Sequence, residues 1–205
     1  MFYILITIYN LQIARSRSYR SLLNGDTDKH IFLIDNSEDE KILDDNYSAV
    51  LPNNVTYLRM NGNCGLSKAY NEGIRVAMLA SPEKAWFLIA DQDSVFPPSY
   101  LSEAEREIAK SPDAKIVAPD VYSERKRISP VYRGGKLMFV NSGLLISSEV
   151  FHSITYDEQL FLDFVDFDFA DMLYQSKFAC HVCRSKNLVV HQSFSGDHKN
   201  GYDQD

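Results

Sequence analysis

The sequence predicts an α/β fold in which a mostly parallel central sheet is flanked by helices. Short apolar runs alternate with helical stretches through the first half of the chain. The central runs are apolar throughout, as in strands of a parallel sheet that is covered on both faces. Polar residues follow three of these runs. Because ligands of open α/β sheets bind beyond the carboxyl ends of the strands, this pattern predicts a ligand site at that edge.

Composition agrees with one globular domain. The chain has 205 residues, 45% of them hydrophobic and 24% charged, and a formal net charge of −7. An acidic chain does not favour a broad phosphate-backbone footprint, so we expect no nucleic-acid partner. No apolar run reaches the about 20 residues of a transmembrane segment. Three cysteines are too few for a disulfide scaffold, which favours a reducing cytosol.

Apolar runs and turn residues predict the elements of the first half in order. Strands are expected at residues 2–9, 30–34, 55–60, 85–90 and 114–119. Helices are expected between Asn10 and Leu23, from about Leu66 to Leu79 and from Pro97 to about Lys110, with an acidic stretch over 38–46. The strands leave polar residues at their ends, namely Tyr9 with Asn10, residues 35–37 and residues 91–93.

The second half is less regular. We expect a basic, mobile loop over 123–136 and an apolar segment over 137–147. An aromatic and acidic stretch follows at 160–174, and two short strands are expected near 178–183 and 187–192. The polar tail over 195–205 is expected to be poorly ordered unless a ligand holds it.

Asp91-Gln92-Asp93 is the first candidate site. Two carboxylates one residue apart at a strand end can turn towards one point, and Mg²⁺ or Mn²⁺ prefers oxygen ligands and often combines carboxylates with substrate phosphates. The segment is equally compatible with a helix-capping turn, because Asp and Ser favour such turns.

Residues 61–74, NGNCGLSKAYNEGI, support a ligand site. Gly65 allows close approach of backbone or ligand, and Gly73 costs a helix about 1 kcal/mol relative to Ala. A helix built only for structure would rarely accept that cost together with Asn71. At the same sheet edge, Asp35 can accept a hydrogen bond from a nucleobase or a ribose.

These motifs occur in a familiar order. They are TIYN at 7–10, IDNS at 34–37, NCGLSKAYNEGI at 63–74, ADQDS at 90–94, NSGLLIS at 141–147, LFLDFVDFDFA at 160–170 and VVHQ at 189–192. With them the chain resembles family 2 glycosyltransferases of the GT-A fold, of the bacterial rhamnosyltransferase-like kind. The resemblance implies one GT-A domain over 1–205, with a Rossmann-like nucleotide-binding half over 1–120 and an acceptor-binding, catalytic half over 121–205.

The resemblance implies a donor site for a nucleoside-diphosphate sugar, most simply a UDP- or dTDP-sugar. Tyr9 and Asp35 would contact the base and ribose, with Thr7 and Asn10 nearby, and Asp91 would hold the ribose or sugar side. Separately from the resemblance, the basic loop with Arg133 is either a solvated surface or, as a hypothesis, part of a lid that closes over the diphosphate and excludes water. The complete donor set is Thr7, Tyr9, Asn10, Asp35, Gly65, Lys68, Asn71, Asp91 and Arg133.

It also implies a Mn²⁺ or Mg²⁺ ion and a catalytic base. Asp93, with Asp91, would bind the metal, and His191 would complete the coordination unless it is an ordinary strand histidine. Inversion needs a carboxylate that deprotonates the acceptor hydroxyl. Asp163 is our first candidate and Asp166 the second. Their spacing of three places them on one side of a helix, unless one of them only caps it.

The acceptor would be a hydroxyl of a glycan or of a lipid-linked sugar, with Asn141, Ser142 and Gly143 lining its cleft. Bacterial surface polysaccharide synthesis in the cytoplasm is the implied setting. The C-terminal helices of longer relatives are missing here, so a truncated or short member is expected, and peripheral membrane contact would depend on such a segment. An inactive nucleotide-sugar-binding module and a sugar nucleotidyltransferase remain as alternatives.

Cys180-His181-Val182-Cys183 has the spacing of a zinc motif. In an extended strand, however, residues three apart face opposite sides. With no second cysteine pair, this motif does not predict a Cys-x-x-Cys zinc site.

Overall fold

The computed structural model describes residues 1–25, 27–80, 84–186 and 188–192. The predicted tail at 195–205 lies outside the described residues. The helices are α1 (Arg17–Leu22), α2 (Glu40–Tyr47), α3 (Leu66–Ala80), α4 (Tyr100–Lys110) and α5 (Val165–Gln175). Short 3-10 turns cover Ile13–Arg15 and Ser148–His152. In the part of the chain described, no helix has the length and apolar character needed to cross a membrane.

Thirteen strands occur within the described residues. They are β1 (Phe2–Ile8), β2 (Lys29–Asp35), β3 (Val55–Arg59), β4 (Trp86–Asp91), β5 (Ser94–Val95), β6 (Ile116–Ala118), β7 (Asp120–Ser123), β8 (Lys126–Ser129), β9 (Val131–Arg133), β10 (Lys136–Met138), β11 (Leu145–Ser147), β12 (Cys180–Val182) and β13 (Val189–Gln192). Seven form the central sheet, in the order β12-β6-β11-β4-β1-β2-β3. All pairings in it are parallel except those of β11 with β4 and β6. The predicted mostly parallel sheet is confirmed.

Apolar side chains cover both faces of this sheet. All seven residues of β1 are buried, and successive side chains alternate between the faces. Tyr3 and Leu5 pack in the core that contains α3 and α5, whereas Ile4 and Ile6 pack in the core that contains α1 and α4. A strand buried on both faces has no polar face, which is why its sequence shows no alternation.

The fit between α3 and the sheet depends on Gly73. A Cβ atom at this position would lie 2.2 Å from Cδ1 of Ile34 in β2. Gly73 therefore serves close helix-to-sheet packing, and its cost to the helix has a structural reason.

The prediction of a mobile loop at 123–136 is wrong, because the segment forms β-hairpins. Two-residue turns with positive φ join β7 to β8, at Glu124-Arg125, and β9 to β10, at Gly134-Gly135. Such turns match the twist of the strands they connect. The pair Gly134-Gly135 was a readable hairpin signal. The acidic stretch over 38–46 is also ordered and forms most of α2.

The prediction that Asp163 and Asp166 share one helical face is wrong as well. Phe164 has a left-handed backbone, with φ 67°, and α5 begins only at Val165. Asp163 therefore precedes the helix, and Asp166 lies in its first turn. The left-handed residue between them sends the chain in a new direction, so helical spacing does not relate the two carboxylates.

Candidate functional site

A cavity of about 330 Å³ opens at the carboxyl ends of β1 and β4. Its upper wall comes from the loop before α5, and its floor comes from the sheet edge. The lining residues are Thr7, Tyr9, Asn36, Asn63, Leu66, Asp91, Gln92, Asp93, Phe161 and Leu162. Four predicted site residues thus share one cavity, at the sheet edge where a ligand site was predicted.

Three elements hold the Asp91-Gln92-Asp93 turn. The backbone N–H of Asp91 donates to Ser142 Oγ at 3.1 Å, and the Ser18 hydroxyl donates to the Asp91 carbonyl. The side-chain oxygen of Gln92 accepts from the backbone N–H of Tyr9 at 2.9 Å. Because its backbone is tied down in this way, the turn can present its carboxylates with little freedom to move.

The two carboxylates of this turn face different surroundings. Oδ1 of Asp91 accepts a hydrogen bond from the Tyr70 hydroxyl at 3.0 Å. Burial raises the pKa of Asp93, and the nearby Arg17 partly offsets this by lowering it. Both side chains line the cavity. A donor set of two carboxylates beside space for a diphosphate suits a Mg²⁺ or Mn²⁺ ion, which takes its other ligands from phosphates and water.

His191 lies on β13, which pairs with β5 just after Asp93, so that His191 is opposite Val95. It is exposed, and its ring centroid lies 6.0 Å from that of Tyr122. Among the described residues, ligand atoms of Asp91, Asp93 and His191 do not come together as a three-residue cluster. The structure brings His191 to the neighbouring strand without bringing it to the carboxylates.

Asp166 has the most perturbed carboxyl group of the site. It lies half-buried in the first turn of α5. Burial, and next the nearby charge of Asp91, raise its pKa to about 7, although a hydrogen bond from the Asn141 backbone acts in the opposite direction. Tyr70 and Tyr156 pack together beside it, with ring centroids 5.0 Å apart, and its charge helps to raise the pKa of both phenols. Asp163, in contrast, is exposed.

Asp35 is fully buried. Oδ1 accepts from the backbone N–H and the hydroxyl of Ser37. Oδ2 accepts from Asn46 Nδ2 at 2.7 Å and from the Tyr57 hydroxyl at 2.9 Å. The Asp35 carboxylate thus accepts four hydrogen bonds, and these bonds connect the end of β2 to α2 and to β3.

The loop after β1 contains Tyr9, whose ring is exposed, and Asn10, whose side-chain amide connects two loops. Tyr9 is 41% exposed, and its hydroxyl donates to Glu38 at 2.8 Å. Asn10 has φ 46°, and its side-chain oxygen accepts from the backbone N–H groups of Glu38 and Asp39. Thr7 lines the cavity, and its buried hydroxyl has no hydrogen-bond partner among the described residues. Tyr9 and Thr7 are thus placed for a ligand, whereas Asn10 joins two loops.

The start of α3 contacts the loop that carries the catalytic candidates. Gly65 has φ 86°, and a Cβ there would lie 2.8 Å from the ring of Phe161. The next N–H, of Leu66, donates to the Phe161 carbonyl at 2.6 Å. Gly65 therefore permits the close approach of two backbones that form adjoining walls of the cavity.

Asn71 and Lys68 point away from this cavity, into a separate polar cavity of about 470 Å³. The side chain of Asn71 holds both backbone groups of Tyr156, donating to its carbonyl at 2.9 Å and accepting from its N–H at 3.0 Å. Asn71 thus positions the chain that leads to α5. The structure does not bring Lys68 and Asn71 together with the other predicted donor residues.

The Asn141-Ser142-Gly143 turn is buried. Ser142 supports Asp91 and also bonds Ser94 Oγ at 2.7 Å. Gly143 has φ 91° and leaves no room for a side chain, since a Cβ would lie 2.5 Å from Val190. Asn141 accepts from the Tyr156 hydroxyl at 3.2 Å, while its buried Nδ2 has no hydrogen-bond partner within the part of the chain that the structure describes.

Arg133 lies on the β9–β10 hairpin, which packs against α5. Its guanidinium is 5.3 Å from the centroid of the Phe167 ring. Lys136 of the same hairpin pairs with Asp171 of α5. The hairpin is therefore attached to the helix that carries Asp166, and it does not line the cavity.

Six cavity residues were not predicted from the sequence: Asn36, Asn63, Leu66, Gln92, Phe161 and Leu162. Four of them, Asn36, Leu66, Gln92 and Leu162, directly adjoin predicted residues in the same motifs. Asn36 Nδ2 donates to Asn63 Oδ1 at 2.9 Å, so the two asparagines join the loops after β2 and β3. Both follow apolar strands, and that position was the signal for them. Only the path of the loop over the cavity brings in Phe161 and Leu162.

A comparison with protein families agrees with this geometry. The sequence model described as glycosyl transferase family 2 matches residues 3–178. The chain belongs to this family. The matched range covers every strand from β1 to β11 and the whole of α5. No curated protein matches the chain in a sequence search.

Solved structures show that this family member has the GT-A fold. The chain is similar to S. aureus TarS 1-349, with a TM-score of 0.68 and 16% identity over 94% of this chain and 60% of that one. The TarS 1-349 complex with UDP-GlcNAc matches with a TM-score of 0.68, over 94% of this chain and 58% of that one. The complex with UDP gives a TM-score of 0.69. The chain spans about 60% of the length of these structures.

Proposed function

We propose that this family 2 glycosyltransferase moves one sugar from a nucleoside diphosphate to an acceptor hydroxyl, with inversion at the sugar carbon. One observation carries the proposal: the half-buried carboxyl group of Asp166 has a raised pKa and lies near the charge of Asp91, and Asp91 lines the cavity of about 330 Å³. A general base with a pKa near neutral pH suits the deprotonation of an acceptor hydroxyl, and two carboxylates beside it suit a divalent cation that would hold the diphosphate.

The donor nucleotide would lie over the ends of β1 and β4. The exposed ring of Tyr9 offers a stacking surface for the base, and Thr7 offers an unused hydroxyl. Similar GT-A structures carry UDP or UDP-GlcNAc, which supports UDP-sugar or dTDP-sugar as the donor class. The Asp163-x-x-Asp166 spacing supports membership in the rhamnosyltransferase-like group.

Asp93, with Asp91, would hold a Mn²⁺ or Mg²⁺ ion. Such an ion stabilises the negative charge that develops on a departing nucleoside diphosphate. Two carboxylates and the diphosphate oxygens suffice for this ion, so His191 becomes a ligand only if β13 moves closer. Asp91 also accepts from Tyr70, and this bond fixes the direction in which its carboxylate points.

We assign the catalytic base to Asp166 rather than to Asp163, because Asp166 is half-buried near the charge of Asp91, whereas Asp163 is exposed. The Asp166 carboxylate would accept the proton of the acceptor hydroxyl as its oxygen bonds to the sugar carbon. The bond from that carbon to the diphosphate breaks on the opposite face, and the nucleoside diphosphate leaves. The Asn141 backbone N–H holds the carboxylate in place during this step.

Several predicted contact residues would act by positioning. Asp35 holds the loop after β2, Ser142 holds the backbone of Asp91, and Asn71 holds the chain that precedes α5. Arg133 would reach the diphosphate only if its hairpin moved, so in the present arrangement it packs on Phe167.

The acceptor would be a glycan or a lipid-linked sugar in bacterial surface polysaccharide synthesis, on the cytoplasmic side of the membrane. Exposed apolar side chains beside the cavity support an amphiphilic acceptor: Phe161, Leu162 and Phe164 are between 54% and 70% exposed. The Nδ2 of Asn141 has no partner among the described residues but is buried, so it would donate to a sugar hydroxyl only if the side chains around it moved.

Nucleotide binding tests the donor site. Thermal unfolding would be followed with UDP, dTDP, GDP and CDP, each with Mn²⁺ and each with EDTA. We expect a rise in Tm that depends on the base and on the metal and that is lost in Asp93→Asn, since a ligand at about 100 times its Kd adds about 2.7 kcal/mol. No rise with any of the four nucleotides would contradict the proposal.

Donor turnover separates a transferase from a module that only binds. Hydrolysis or transfer of the selected nucleotide sugar would be compared in the wild type, Asp166→Asn and Asp163→Asn. Binding without turnover in the wild type would favour the inactive binding module. Turnover that Asp163→Asn abolishes and Asp166→Asn spares would overturn the assignment of the base.

A further inference from the structure

Three potential metal ligands meet far from the candidate active site. Glu107 lies near the end of α4, His181 lies on β12, and Cys183 follows that strand. One ligand atom of each lies within 4.8 Å of the other two. Among the described residues, this is the one such cluster, and none of its members lines the cavity at the ends of β1 and β4.

The alternation of the strand brings these side chains together. His181 and Cys183 are two residues apart and so lie on the same side of the chain, whereas Cys180 is exposed. The alternation of side chains along a strand, which places Cys180 and Cys183 on opposite sides, therefore places His181 and Cys183 on the same side. Glu107 completes it from the neighbouring helix, with Oε2 at 3.0 Å from His181 Nε2.

The spacing suits a tetrahedral ion. Zinc bonds of about 2.0–2.3 Å place the ligand atoms of a tetrahedral site about 3.3–3.8 Å apart. The three atoms here lie within 4.8 Å of one another, so side-chain rotations are enough to close the site. Thiolate, imidazole and carboxylate are all zinc ligands, and a combination of soft and borderline ligands distinguishes the cluster from an all-oxygen magnesium site.

The surroundings already contain outer hydrogen bonds of the kind that orient metal ligands. The backbone N–H of Ser185 donates to Cys183 Sγ at 3.3 Å. Lys110 donates to the other oxygen of Glu107. Cys183 and Glu107 are both buried, at 0% and 7% exposure, so the ligands are shielded and would be held rigidly.

The geometry points to a zinc site formed by Glu107, His181 and Cys183, with water as the fourth ligand, that clamps α4 to the edge strand β12. Burial is the main cause that raises the pKa of the Cys183 thiol to about 11. The thiol is therefore protonated before the metal binds, and zinc binding forms the Zn–S bond and releases this proton to solvent. The clamp would stabilise the second half of the domain, and it is independent of the sugar-transfer proposal.

Cobalt substitution tests the site directly. The purified chain, stripped with EDTA and dialysed, would be titrated with Co²⁺ alone and followed by absorption. Ligation by Cys183 gives a thiolate-to-cobalt charge-transfer band, which Co²⁺ bound to the carboxylates of Asp91 and Asp93 cannot give. We expect one equivalent of Co²⁺ to saturate the band and one equivalent of Zn²⁺ to remove it.

Matched variants identify the ligands. Cys183→Ser should abolish the band, and His181→Gln should weaken Co²⁺ binding by at least about 10-fold, the lower limit for losing even an outer partner. Cys180→Ser, a change three residues away on an exposed side chain, should leave both unchanged. His181→Gln also guards against misfolding of Cys183→Ser, because His181 is only half-buried.

Thermal unfolding gives a second readout. Zn²⁺ should raise the Tm of the wild type and of Cys180→Ser, and it should not raise that of His181→Gln. Absence of the charge-transfer band in the wild type, or its persistence in Cys183→Ser, would overturn the site. Loss of the band in Cys180→Ser would overturn the assigned ligands.

Discussion

Two carboxyl groups near the carboxyl ends of the strands, Asp35 and Asp166, differ in their burial and in the hydrogen bonds that they receive. Asp35, at the end of β2, is fully buried and receives four hydrogen bonds from Ser37, Asn46 and Tyr57. Asp166, in the first turn of α5, is half-buried and receives one backbone hydrogen bond, from Asn141; burial, and next the nearby charge of Asp91, raise its pKa to about 7 despite that bond.

The difference lies in the supply of donors around each carboxylate. A buried charge is stable only where hydrogen bonds replace the water it has lost. The loops after β2 and β3 provide these bonds for Asp35, which thereby becomes part of the framework. The aromatic wall around Asp166 provides few, and its carboxyl group is left able to exchange a proton near neutral pH. The same residue type thus builds the site in one region and would do the chemistry in the other.

The largest expected effect is on turnover. Asp166→Asn should lower the rate of sugar transfer by about 10²- to 10⁴-fold, the usual contribution of a general base, and leave nucleotide affinity within about 3-fold. Its free energy of unfolding should be unchanged or higher, because a buried charge is removed. Asp163→Asn is the matched control and should keep most of the activity. Steady-state kinetics and urea unfolding of both variants decide this.

The second effect is on stability. Asp35→Asn should lower the free energy of unfolding by about 3 kcal/mol, because the new amide cannot accept from all the donors that surround it. Tyr57→Phe, which removes a single donor, should cost about 1 kcal/mol. Urea unfolding measures both. If Asp35→Asn keeps full stability and loses nucleotide binding, Asp35 contacts the donor and the contrast with Asp166 fails.

The third prediction concerns the packing beneath Asp35. Gly73→Ala should lower the free energy of unfolding by about 1–2 kcal/mol, because overpacking costs about 1–3 kcal/mol and helix propensity returns at most about 1 kcal/mol. The clash is with Cδ1 of Ile34, an atom that Ile34→Val removes. In a double-mutant cycle, Ile34→Val should therefore recover part of the loss. Strict additivity of the two changes would contradict the close packing.

The smallest expected effect is on the pH dependence of Tm, and it concerns a half-buried base, His30, instead of a carboxyl group. Burial lowers the pKa of His30 on β2, the opposite direction from Asp166, because in both cases burial disfavours the charged form. The unfolded state then binds more protons, so this group's contribution to stability is complete above about pH 6.5 and is lost as the pH falls below that value. His30→Gln should flatten the dependence of Tm on pH between about 5 and 7. An unchanged slope would exclude His30 as its source.

The sequence predicted the parallel strands and the edge at which the site lies, because a continuous apolar run and a polar strand end are local patterns. It predicted the Asp91-Gln92-Asp93 turn for the same reason. The segment 123–136 forms hairpins instead of the predicted loop, because most of its basic residues lie on short strands and the Gly134-Gly135 pair forms a tight turn between two of them. The functions of Asn71 and Ser142 were less readable, because their partners are 85 and 51 residues away in the chain.

The sequence alone determined the fold class, the family and the small set of polar residues from which a site could be built. Only the tertiary structure decided that Asp35 receives four hydrogen bonds and that Asp166 has a pKa of about 7. The difference between the two carboxyl groups depends on their burial and on hydrogen-bond donors from segments that are distant in the sequence. Neither can be inferred from the residues next to an aspartate. It is also why His181 and Cys183 become potential metal ligands only once α4 brings Glu107 beside them.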